Sequence, residues 1–144
     1  MARAPLKNAP LLLPAELTSR LDEFYGALEQ FNDGYWFESH ETLEDLWQVT
    51  PLPQRTFFQG VIQAAAAFVH FARGEYPGIL KLLDAALDKL RPFTRETLGV
   101  DVAALIGDLE RARAEFTALG PERFVGWDES RAPRIAFTRV ERAP

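Results

Sequence analysis

The sequence predicts an all-α protein, a single-domain bundle of about five helices with extended arms at both ends. Apolar residues recur at spacings of three and four through most of residues 14–120, the period of a helix with one buried face. Prolines and several glycines fall between these stretches, where helices begin and end. Residues 1–13 and 121–144 lack the period. We therefore expect an N-terminal arm and a C-terminal tail on one domain that covers the 144-residue chain.

The first two helices are predicted over residues 14–31 and about 35–49. Residues 32–34 should end the first helix, because asparagine and glycine readily adopt the left-handed conformation that closes helices. The second helix should stop before Pro51, since a residue that precedes proline disfavours helical angles. Four large apolar side chains define the face of the second helix that we predict to be buried: Trp36, Phe37, Leu43 and Trp47.

The third helix, RTFFQGVIQAAAAFVHFAR at residues 55–73, should be the central one. Apolar side chains cover most of its circumference, which is typical of a helix surrounded by others. One stripe, roughly 80° wide by helical geometry, differs from the rest. It holds Arg55, Gln59, Gln63, Ala66 and His70. Because this stripe carries no charge between its ends, we expect it to be buried or half-buried against a neighbour.

The fourth helix should begin near Pro77 and end at Pro92, and the fifth should run from Asp101 to Gly120. Each carries an apolar stripe opposite a charged face. From residue 121 onward, a short alternating pattern indicates extended chain. We expect this tail to lie across the bundle or across a partner subunit.

Composition limits the classes of partner. A net charge of −5 argues against nucleic acid or an anionic membrane as the main partner. The longest apolar stretch, residues 57–72, is shorter than the roughly 20 residues that span a bilayer. No export signal is evident, and the absence of cysteine fits a cytoplasmic protein. Extended arms at both ends would suit a homodimer.

Two histidines mark the candidate site. His40 and Glu44 lie one turn apart on the predicted buried face of the second helix. A hairpin across the turn at residues 51–53 would bring Trp47 and Glu44 opposite Arg55 and Gln59. In the same register, good to about a turn, His40 would lie nearer Gln63 and His70 near the level of residues 31–35. The candidate cluster comprises His40, Glu41, Glu44, Trp47, Arg55, Gln59, Gln63 and His70.

Three interpretations of this cluster remain open. Its members could satisfy one another and fix how the helices pack. They could line a polar ligand pocket without catalysis. Alternatively, His40 and Glu44 could bind a divalent metal, with Glu41 or His70 as a third ligand, or Glu44 could orient His40 as a general base.

The sequence also resembles a known family, the domain of unknown function 309 family of small helical proteins from bacteria and archaea. The resemblance rests on FNDGYWFESHETLEDLW at residues 31–47, on R-x-x-x-QG-x-IQ-A-A at residues 55–65, on His70 and on GEYPGILKLLDAALDKL at residues 74–90. It implies an all-helical bundle and emphasis on the eight cluster residues. It implies no activity.

From the residues and this resemblance, we expect a non-catalytic interaction or small-ligand-binding module whose ligand is unknown. The alternative is a metal-dependent, hydrolase-like enzyme that uses His40 and Glu44.

Overall fold

Six α-helices account for most of residues 14–93 and 95–139, the part of the chain that the computed structural model describes. Five of the six have seven or more residues, and the described residues contain no strand. The prediction of an all-α bundle of about five helices is therefore confirmed. The helices are α1 (Pro14–Ser19), α2 (Leu21–Asn32), α3 (Trp36–Gln48), α4 (Gln54–Ala72), α5 (Tyr76–Leu90) and α6 (Val102–Arg123).

Helix α4, the predicted third helix, is the central one. It packs against α3 on one side and α5 on the other, while α2 packs on α3 and α6 packs on α5. Phe57, Phe58 and Phe68 of α4 are fully buried, and Phe58 stacks on Phe24 of α2 with ring centroids 4.8 Å apart. Neither α4 nor any other described helix is long and apolar enough to cross a membrane.

Most predicted helix ends are found, with two differences. Gly34 and Gly74 have positive φ angles just after α2 and α4, the conformation expected of a glycine that ends a helix. The predicted first helix is broken at Arg20 into α1 and α2. At the other end, Gly120 is non-helical (φ 74°), but the chain resumes a helical turn that ends at Arg123. The predicted arm at residues 1–13 lies outside the described residues.

The C-terminal tail lies across the bundle at least as far as Arg139, but it is not extended throughout, because 3-10 turns occupy Phe124–Gly126 and Glu129–Arg131. Trp127 packs on Phe71 and Phe116, with ring centroids 5.3 and 4.5 Å away. Farther along, the Asn32 side chain bonds both backbone groups of the buried Ile135: Nδ2 donates to the carbonyl oxygen at 3.0 Å, and Oδ1 accepts from the amide at 2.6 Å. This pairing attaches the tail to the end of α2.

Glu115 of α6 holds the start of the tail. Its carboxylate accepts hydrogen bonds from Arg131 Nη2 at 2.6 Å and from Trp127 Nε1 at 2.9 Å. These donors stabilise the charged form, chiefly through Arg131, and lower the pKa of Glu115 to about 2. The ion pair and the buried indole therefore act together at one point of α6.

Candidate functional site

The eight predicted residues lie along the surface shared by α3 and α4, not in the core. Seven of them are half-buried and Glu41 is exposed. A fully buried cluster was one form of the prediction, and this form is wrong: 46% of the Glu44 side chain is exposed. A carboxylate in that position keeps much of its hydration, so it does not require a buried counter-ion.

The inner face of α3 differs from the predicted one, which explains why the cluster lies at the surface. Trp36, Ser39, Leu43 and Leu46 are the buried residues of this helix. Ser39 takes an inner position because its Oγ donates a 2.8 Å hydrogen bond to the Ala27 carbonyl oxygen of α2. The helix is therefore rotated relative to the prediction. As a result, Phe37 is 44% exposed and His40 lies at the border of the packed face.

The end of this surface nearest the α3–α4 turn is formed by Trp47 and Arg55. The Arg55 guanidinium lies over the Trp47 ring, 4.2 Å from its centroid, in a cation–π contact. This is the pairing that the hairpin register predicted. Gln59 and Gln63 follow on α4 and are half-buried.

His40 has two defined neighbours, both on α3. Its Nε2 lies 3.3 Å from Glu44 Oε2, so the predicted pair one turn apart is in contact. Its ring also stacks on Phe37, with centroids 6.4 Å apart and planes inclined by 18°. The carboxylate and the aromatic ring together fix the orientation of the imidazole.

His70 contacts two residues at the start of α5, Glu75 and Gly78. Its Nδ1 lies 2.9 Å from Glu75 Oε1, although the two groups are not aligned as a hydrogen bond. Its ring lies directly over Gly78 in the first turn of α5, where a Cβ atom would come within 2.6 Å of His70 Cγ and Nδ1. Only a residue without a side chain leaves room for the ring in this position.

Both histidines line one pocket, which we call the histidine pocket. Its volume is about 140 Å³, and it is lined by Phe37, His40, Ala66, Val69, His70 and Arg73. His70 was predicted near the level of residues 31–35 to within about a turn, and it lines this pocket together with Phe37 and His40. Arg55, which contacts Trp47, lies about 22 Å from His70 along α4, as calculated from the helical rise per residue.

Sequence reasoning missed three residues of this site. Phe37 had been assigned to the buried face, and Arg73 had been treated only as the end of a helix. Glu75 follows the turn at Gly74, so helical spacing could not connect it with His70. The glycine at position 78 was the one available signal, because it interrupts an otherwise helical stretch.

Five buried side-chain polar atoms have no hydrogen-bond partner in the described part of the chain. They are Trp36 Nε1, His40 Nδ1, Trp47 Nε1, Gln63 Oε1 and His70 Nδ1. Four of the five belong to the predicted cluster. Buried polar atoms in folded proteins are normally bonded to protein, water or ligand. Unused hydrogen-bonding capacity is therefore concentrated on the α3–α4 surface.

The described residues offer few ligands for a metal ion. His40 and Glu44 offer an imidazole and a carboxylate in contact, but residues 14–93 and 95–139 contain no group of three His, Asp or Glu side chains that could hold a metal ion. Protein metal sites usually supply at least three ligands. The pair by itself can orient His40 for proton transfer.

Comparison with known proteins finds one family whose model matches part of the chain. Among curated proteins, none matches it. The family model of the domain of unknown function DUF309 matches residues 24–82. This segment runs from the first turn of α2 into α5 and contains all eight predicted residues. The predicted resemblance to this family is thus confirmed over residues 24–82.

Proposed function

We propose that this protein binds a small molecule on the surface shared by α3 and α4, without catalysing a reaction on it. One observation carries the proposal: His40 Nδ1, Trp47 Nε1 and Gln63 Oε1 are buried on this surface without a hydrogen-bond partner in the described chain, and His70 Nδ1 has only an unaligned contact with Glu75. Leaving such an atom unbonded costs about 1–3 kcal/mol. A molecule bound beside His40 and His70 could supply some of these partners and recover part of this energy.

A purely structural role accounts for less of the geometry. If the cluster existed only to fix helix packing, its members should satisfy one another. The contact of His40 with Glu44 uses Nε2 and leaves His40 Nδ1 without a hydrogen bond, and the contact of His70 Nδ1 with Glu75 is not aligned as a hydrogen bond. Both rings also line a pocket of about 140 Å³, which has room for a body of about one aromatic ring.

The metal-dependent alternative has narrower support. The contact between His40 Nε2 and Glu44 Oε2 favours it, since imidazole and carboxylate suit zinc, iron or manganese. A third protein ligand is missing among the described residues. We therefore place non-catalytic binding first and treat metal binding as the competing proposal.

Protein-observed NMR tests the proposal with internal controls. The chain has two histidines and three tryptophans, so their side-chain signals can be assigned individually. A library of small metabolites should contain ligands that shift the imidazole signals of His40 and His70 or the indole signal of Trp47. The Trp127 indole is already bonded to Glu115 and should not respond.

Ligands that shift the Trp127 indole and not the other three side chains would place the binding surface elsewhere. A library without any ligand for the α3–α4 surface would favour the structural interpretation. Either result overturns the proposal.

A further inference from the structure

The lining of the histidine pocket is unusual for this chain. The protein carries a net charge of −5, yet no acidic side chain lines the pocket. Its polar groups are one arginine and two histidines, and its remaining surface is the Phe37 ring with Ala66 and Val69. A pocket of this composition favours a ligand with a negative charge and an apolar body.

Arg73 is the charged group available to such a ligand. It lies just after the last residue of α4, with its guanidinium 5.7 Å from the centroid of the Phe37 ring. Within the described residues, Arg73 forms no ion pair, whereas the nearby Glu44 and Glu75 contact the two histidines. Its fork of N–H donors is therefore free to bind a carboxylate through two parallel hydrogen bonds.

We propose that the histidine pocket binds a small organic carboxylate, with the carboxylate on Arg73 and its apolar body between Phe37 and the Ala66–Val69 wall. This inference rests on the proposed function and specifies its ligand. A pocket of about 140 Å³ suits a body of one aromatic ring, since an apolar cavity of about 150 Å³ accommodates benzene. His40 and His70 line the same space.

Three probes of nearly the same shape test the charge requirement: benzoate, benzamide and benzamidinium. Titrations are followed through the imidazole signals of His40 and His70, the only histidines of the chain. We expect benzoate to bind about fivefold more tightly than benzamide, the difference that one partly exposed ion pair supplies, and benzamidinium to bind most weakly.

Two arginine variants separate this site from general charge effects. Arg73→Gln should weaken benzoate binding about fivefold and leave benzamide binding within about twofold. Arg91→Gln is the matched control, because Arg91 occupies the same position after α5 as Arg73 does after α4. The control removes the same charge and should leave benzoate binding unchanged.

Two kinds of failure can be told apart. The pocket is a binding site, but not one for carboxylates, if benzamide or benzamidinium shifts the histidine signals at least as strongly as benzoate. The same conclusion follows if Arg91→Gln weakens benzoate binding as much as Arg73→Gln does. If benzoate does not bind, the carboxylate inference is overturned. The metabolite screen then decides separately whether the surface binds other molecules.

Discussion

A methyl group added at Gly78 should displace His70 and destabilise the protein. The new Cβ atom would lie 2.6 Å from His70 Cγ and Nδ1, so the ring must move out of its place beside Glu75. Overpacking of this kind costs about 1–3 kcal/mol. Exchanging glycine for alanine in a helix returns about 0.5–1 kcal/mol. The expected net loss for Gly78→Ala is therefore about 1 kcal/mol.

The matched control is Gly107→Ala. Gly107 is an exposed residue of α6, and a Cβ atom there would meet no other atom within 4 Å. With no clash, this variant should gain about 0.5–1 kcal/mol from helix propensity alone. Urea unfolding of both variants measures the two free energies, and the imidazole spectrum reports whether His70 has moved.

Two results would contradict this packing: a Gly78→Ala variant stabilised as much as Gly107→Ala, or His70 signals in the variant that coincide with those of the wild type. Either result would mean that His70 does not pack against the first turn of α5.

Three further predictions concern the tail and the candidate ligands. Asn32→Ala should lower the free energy of unfolding by about 1–3 kcal/mol, because both hydrogen bonds to Ile135 are lost. It should also speed hydrogen exchange at the Ile135 amide, and unchanged exchange would contradict this attachment of the tail. Glu115 has a pKa of about 2 in the folded state against 4.5 ordinarily, so its stabilising contribution is complete above pH 4.5 and disappears as the pH falls towards 2. After allowance for the 25% exposure of its side chain, the contribution is about 1–2 kcal/mol, and Glu115→Gln should flatten the stability curve measured between pH 5 and 2. Elemental mass spectrometry of untagged protein should find no stoichiometric metal in the wild type or in Glu44→Gln; near-stoichiometric zinc, iron or manganese that disappears in the variant would favour the metal-dependent alternative.

Local patterns in the sequence determine much of this fold. The apolar period located α3 to α6, and Gly74 and Pro92 marked where two helices end. The short turn between α3 and α4 was enough to predict the contact between Trp47 and Arg55, because a hairpin brings residues equidistant from the turn together.

Tertiary contacts determine what the sequence could not predict. The helical wheel of α3 gave Phe37 a buried position, but the hydrogen bond from Ser39 to the Ala27 carbonyl rotates the helix and exposes Phe37. Glu75 reaches His70 only because the chain turns at Gly74. The packing of the tail residue Trp127 on Phe71 likewise joins residues distant in sequence.

The most direct test of ligand binding on the α3–α4 surface is a thermal-unfolding screen of wild type and the double variant His40→Gln/His70→Gln against a metabolite library. A ligand at 100 times its Kd stabilises the folded state by about 2.7 kcal/mol, which raises the Tm by about 5–10 °C for a chain of this size. We predict such a shift for wild type and its loss in a double variant whose own unfolding without ligand remains cooperative. Equal shifts in both proteins, or no ligand for wild type, would contradict ligand binding on the α3–α4 surface.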